Sequence, residues 1–301
     1  MKAHHQDQLS LFMTETNAEV SPAVHIANSL EPSDIEALRC STDQPSESQP
    51  EGTVELPECE WSTFSREHSR VPMIGDERKP WQYRGWLLYY RLLLEEHPEI
   101  GGRWDYWSRT MINGRLLDEP IPQVTFAVAP NRAVLSNFER WVHTVDHHFQ
   151  GWSAVDKLID WFLWGLGISK EQPEFSLQLS EALYRDVDIG PMLLTPHDYI
   201  GEWIAGQKGK WNPNAFYPTP HPVVEVMVRM TMGEDNDARC KKVCDPCVGS
   251  GRMLLHASNH SLRLYGVDID RTLVKVTLIN GALYAPWLIR PFPEHFFAGE
   301  S

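Results

Sequence analysis

The sequence predicts an α/β fold with a parallel, doubly wound sheet in its last third, behind a mainly helical region and an acidic tail. Three observations carry that prediction. From Asn214 onward, helical and strand-like segments alternate. Between Tyr83 and Leu166, apolar residues recur at helical spacing. Before Trp61 the chain is polar, acidic and without apolar periodicity.

Residues 1–60 are rich in Ser, Pro, Glu and Gln, as in the run STDQPSESQPEGTVELPE, and read as a disordered tail. Residues 61–210 read as a helical domain. Tyr83 to Glu96 is a strong helix stopped by His97-Pro98. Asn131 to Phe149 is a second, with an Asn N-cap and apolar residues at 134, 135, 138, 141, 142 and 145. Ser153 to Leu166 is a third, capped by Ser153. Residues 174–185 and 196–206 are weaker helices, and 120–129 reads as a strand. Residues 211–301 then give helix Pro222–Met232, strand Lys242–Asp245, helix Arg252–Asn259, strand Leu262–Ile269, helix Thr272–Tyr284 and a strand from Phe296 to Ala298. Parallel strands joined through helices make right-handed crossovers.

The charge is uneven. The net formal charge is −14; residues 1–60 hold twelve Asp/Glu and two Lys/Arg, so the tail accounts for most of it. The rest is near neutral and shows no basic stripe for gripping duplex DNA unaided. Five cysteines, no apolar leader segment and no membrane-length apolar run point to a cytoplasmic protein with reduced thiols. The tryptophans crowd the stretch from Trp61 to Trp211, and Trp152, Trp161 and Trp164 read as core.

The chemistry concentrates at Asp245-Pro246-Cys247-Val248-Gly249-Ser250-Gly251, between a strand and a helix. Gly249 and Gly251 let the backbone turn sharply and approach a ligand without Cβ interference. No Gly-Lys-Ser/Thr follows, which argues against a nucleotide P-loop. The acid that opens the motif suits an ammonium group better than a phosphate. A second acid, Asp268, closes the strand in Tyr265-Gly266-Val267-Asp268-Ile269-Asp270, where a carboxylate accepts hydrogen bonds from ribose hydroxyls. An amino-acid ammonium and a ribose, without phosphate, describe S-adenosylmethionine (SAM).

These motifs resemble motifs I and II of the adenine-N6 DNA methyltransferases, especially the modification subunits of type I restriction systems. Asn214-Ala215-Phe216-Tyr217-Pro218-Thr219-Pro220, leading into PVVEVMVRM, resembles their motif X. The resemblance implies a Rossmann-like SAM-dependent methyltransferase domain. Phe216, Tyr217, Thr219 and Pro220 would line the methionine end of SAM, Asp245, Gly249 and Gly251 would form the loop, and Asp268 would take the ribose. His295 to Ser301 resembles motif III, and Glu300 would meet the adenine amine of SAM. The resemblance spans about residues 195–301.

Adenine-N6 transfer also needs a motif IV, [ND]-P-P-[YF], which aligns the target amine and stacks the flipped base. The sequence has none; Asn212-Pro213-Asn214 lacks the second proline and the aromatic and precedes motif X. The chain therefore reads as the SAM-binding part of a truncated or split DNA methyltransferase, with DNA as the partner and the catalytic residue supplied elsewhere. The alternatives are a non-catalytic SAM-fold interaction protein and a methyltransferase of another substrate.

Three further patterns stand apart. Cys240, Cys244 and Cys247 have the spacing of an iron–sulfur triplet, but their place in the strand and glycine loop favours plain thiols. Glu139, His143 and His147, with His148 beside them, share a helical face that reads as a solvated surface rather than a zinc site. In the tail, Gln8-Leu9-Ser10-Leu11-Phe12 resembles the short motif by which bacterial replication and repair proteins dock on the DNA polymerase sliding clamp. Gln8, Leu9, Leu11 and Phe12 would be its anchors, set against the reading of a chance apolar patch.

Overall fold

The computed structural model describes residues 9–10, 79–207, 216–232 and 238–297. The helices are α1 Trp86–Leu93, α2 Arg103–Asn113, α3 Arg132–Asp146, α4 Trp152–Gly165, α5 Leu177–Asp186, α6 Gly190–Leu194, α7 Tyr199–Gly206, α8 His221–Met232, α9 Arg252–Ala257, α10 Arg271–Tyr284 and α11 Pro286–Ile289. The strands are β1 Leu9–Ser10, β2 Lys242–Asp245 and β3 Arg263–Asp268.

The sheet is small. β2 and β3 run parallel, with Lys242 opposite Arg263 and Asp245 opposite Gly266. Helix α9 makes the crossover and packs on both strands. On the other side of β3, β1 pairs antiparallel, Leu9 opposite Asp268. The described architecture is therefore mostly helical around a two-stranded parallel pair, and a full doubly wound sheet is not part of it. The strand expected to start at Phe296 is corrected too. Glu294–Phe297 is a 3-10 turn, because the Phe296 amide donates back to the Pro293 carbonyl at 2.9 Å and its ring is buried.

One continuous core runs from Trp81 to Phe296. Helix α3 buries Val134, Phe138, Trp141, Val142 and Val145, one face at helical spacing, and the Asn131 side chain accepts the Ala133 amide at 3.0 Å as its cap. Helix α4 is buried on nearly every side, between α1, α3 and α10. Fully burying side chains such as Leu158, Ile159 and Trp161 contributes about 1.5–3 kcal/mol each. Helix α10 lies between α4 and the sheet, capped by Asp270, and Lys275 bonds Asp156 at 2.9 Å and Asp160 at 2.7 Å on α4.

Several expectations shift. Helix α4 begins at Trp152 behind Gly151, whose φ of +59° and ψ of −128° make the turn, so Ser153 lies inside the helix and caps nothing. Residues 120–129 form no strand. Val124 donates to the Asn259 side-chain oxygen and accepts from its amide, both at 2.9 Å, so a side chain replaces the partner strand. Helices α2 and α6 stand where no helix was expected. Arg103 on α2 fastens the helical region to the α/β region, donating to Pro122 O, Ser258, Asn259 and Tyr284 O. Burial among neutral acceptors lowers its pKa to about 9.

Candidate functional site

The glycine loop turns at Gly249 (φ +53°) and Gly251 (φ +91°), a region L-residues avoid. It is held from three sides. The Val248 amide donates to Val267 O at 3.0 Å, and the Gly249 amide donates to the Asp268 carboxylate at 2.8 Å. Thr277 on α10 donates its hydroxyl to Gly249 O at 2.7 Å. Gly266 makes the fit against β3: a Cβ there would stand 2.7 Å from Val248.

The other predicted residues gather unevenly. Phe216 packs over the loop; a Cβ on Gly249 would meet its ring at 3.0 Å. Asp245 ends β2, accepts the Cys247 amide at 3.0 Å, and is half-buried. Burial pushes its carboxyl above the usual range; the Cys247 bond opposes this, and the charge of nearby Asp268 adds to it. Asp268 also accepts the Asp270 amide at 2.9 Å, which leaves lone pairs on both its oxygens. Tyr217 is 72% exposed, and Thr219 and Pro220 are exposed at the start of α8. Thr219 enters through its carbonyl, which accepts from Arg252 at 3.2 Å. Glu300 lies outside the described residues, as do Gln8, Leu11 and Phe12; Leu9 is described only as part of β1.

Beneath the loop lies a buried polar group that sequence reasoning missed. Asp198, fully buried, caps α7 by accepting the Gly201 amide at 2.9 Å. It also accepts from Ser250 Oγ, from Arg252 Nε at 2.9 Å and from Asn280 at 2.9 Å. Asn280 donates in addition to Ser250 O at 2.8 Å, and Arg252 reaches Glu202 at 2.6 Å. Beside this lie three buried histidines. His221 and His256 share a hydrogen bond of 2.9 Å, and His197 packs its ring 4.4 Å from that of His221. Burial, with Arg252 and the neighbouring imidazoles, lowers the His221 pKa to about 2, and burial lowers His256 to about 4.

The other candidates form no such cluster. Cys244 and Cys247 are exposed thiols, and Cys240 is partly buried. His143 stands 3.8 Å from Glu139 on the outer face of α3, both half exposed. No group of three metal-ligating side chains able to hold an ion exists among the described residues, and none of their helices is long and apolar enough to cross a membrane. Trp161 is in the core, and Trp152 is partly buried against it.

The residues present fit an adenosine-bearing amino acid. Phe216 and Thr277 pack so closely on the glycine turn that a Cβ on Gly249 or Gly251 would stand 3.0 Å from them, and Asp245 and Asp268 end the two strands beside it, neither in an ion pair with Lys or Arg among the described residues. Two unneutralised acids suit a cationic ligand with hydroxyls.

Residues 198–285 match the family model of N-6 DNA methylases, a segment that begins at Asp198 and takes in the glycine loop, β3 and α10. The match supports an adenine-N6 DNA methyltransferase family for this segment, which is less than a third of the chain. No curated protein and no solved structure matches the chain.

Proposed function

We propose, from the premise that residues 198–285 are an N-6 DNA methylase segment, that this chain is the SAM-binding part of an adenine-specific DNA methyltransferase. One observation carries the reading: the Gly249 amide bonds Asp268 at 2.8 Å with Phe216 against the same glycine. Three motifs far apart in sequence thus meet at one point. Asp268 would hold the ribose hydroxyls, Asp245 the ammonium group, and Phe216 would cover the methionine end. SAM, when bound, supplies an electrophilic methyl group on a positively charged sulfur.

The target amine would be aligned by a motif IV from residues outside these 301, since [ND]-P-P-[YF] does not occur in them. DNA would be held by the same additional part, because the region after residue 60 is nearly neutral. Titration calorimetry with SAM, and with ATP for comparison, tests the reading. Saturable heat with SAM alone is expected. A folded sample giving no heat at high micromolar SAM would remove the cofactor assignment.

The missing motif IV favours a second reading, a non-catalytic SAM-fold protein brought to the sliding clamp by residues 8–12. A methyl-transfer assay on adenine-containing DNA separates the two. SAM binding without transfer, even with candidate partner chains, supports the second.

A further inference from the structure

We infer that Asp198 is a positioning residue for the SAM loop, holding Ser250 and Arg252 so that Gly249 keeps the conformation that meets Asp268; this rests on the SAM reading above. A buried carboxylate is expensive unless its lone pairs are filled. Here four donors fill them: the Gly201 amide and Asn280 on one oxygen, Ser250 Oγ and Arg252 Nε on the other. Two of the four belong to the loop and its helix, and a third, Asn280, also holds the Ser250 carbonyl at 2.8 Å. The residue between the two left-handed glycines is thereby clamped at both its hydroxyl and its carbonyl.

Local structure is shaped around this contact. Gly201 has no side chain where a Cβ would strike the Asp198 carboxylate and stand 2.6 Å from Ser250 Oγ. Arg252 bridges Asp198 to Glu202, and its remaining nitrogen reaches Thr219 O just before α8. One guanidinium therefore joins α7, the glycine loop and the segment that carries Phe216. A lysine has neither the fork nor the reach for three such partners. The N-terminus of α7 thus acts as the fixed support from which both walls of the SAM site are hung.

The test uses the full chain and compares wild type with D198N, R252K and L183A, the last a core truncation on α5 away from the loop. SAM affinity is measured by calorimetry, melting temperature by thermal unfolding, and exchange of loop amides by hydrogen exchange without ligand. D198N and R252K are expected to weaken SAM binding tenfold or more and to speed exchange in residues 246–252 selectively. L183A is expected to lower the melting temperature while SAM affinity, measured well below it, stays within twofold. Should D198N fail to fold, R252K decides alone. Folded variants that bind SAM as wild type does would overturn the inference and leave the SAM reading intact. A wild-type chain that binds no SAM would overturn both.

Discussion

Gly249 donates its backbone N–H to the Asp268 carboxylate at 2.8 Å, which ties the glycine loop to the end of β3. Asp268→Asn replaces one acceptor oxygen with a donor, which sets an N–H against either Gly249 or Asp270. Losing that bond costs about 1 kcal/mol of stability. The larger effect is expected in SAM affinity, a loss of tenfold or more, equivalent to about 1.4 kcal/mol. Calorimetry on the two proteins measures it, and unchanged affinity would dissociate Asp268 from the ribose.

The second relationship is between Gly249 and Phe216. Gly249→Ala places a Cβ at a φ of +53° and 3.0 Å from the Phe216 ring. The backbone strain alone costs about 1–2 kcal/mol. Part of the total should vanish in a Phe216→Ala background, where the ring no longer resists. A double-mutant cycle by urea unfolding reads the coupling. Strictly additive losses would mean that Phe216 does not bear on the loop.

The buried histidines make stability depend on pH. His221 and His256 are held neutral, with pKa values lowered to about 2 and about 4. In the unfolded chain both titrate near 6.5, so below that pH the unfolded state takes up protons that the folded state refuses. Their contribution is intact above pH 6.5 and is lost as pH falls toward 4. Each adds a slope of up to about 1.4 kcal/mol per pH unit. Urea midpoints at pH 7 and pH 5 should therefore differ more in wild type than in His256→Gln. Equal differences would place the acid sensitivity elsewhere.

The tail makes its own prediction. If Gln8, Leu9, Leu11 and Phe12 form a clamp-docking segment, Leu11→Ala with Phe12→Ala should abolish recovery of the chain on immobilised sliding clamp. SAM binding should not change. Equal recovery of both proteins would leave the pentapeptide as an accidental apolar patch.

What the sequence discloses depends on how local the cause is. The glycine loop, β2, β3, α8 and α10 are legible because alternating periods and left-handed glycines are written in consecutive residues. Asn131 is legible as a cap for the same reason. Helix α2 is not: in RWDYWSRTMIN the buried face includes Arg103, whose partners lie on distant segments, and Ser108 and Thr110, whose hydroxyls bond back to carbonyls of the same helix. The strand expected at 120–129 fails because Asn259, more than a hundred residues away, satisfies its backbone. Asp198 escapes notice as a site residue because Ser250, Arg252 and Asn280 join it only in space. The acid before Tyr199 announces a helix start and nothing more. Glycine 201 shows the same limit: only the fold reveals that Asp198 needs its missing side chain.

The central claim is that SAM sits on the loop between β2 and α9, against the end of β3. Hydrogen exchange with and without SAM tests it most directly on the intact chain. Protection is expected to be confined to the peptides around residues 245–252 and 264–270, with a smaller effect near Phe216. Protection that instead maps to the open cleft of about 540 Å³ lined by Phe126, Arg229, His256 and His260, or no protection at saturating SAM, would contradict it.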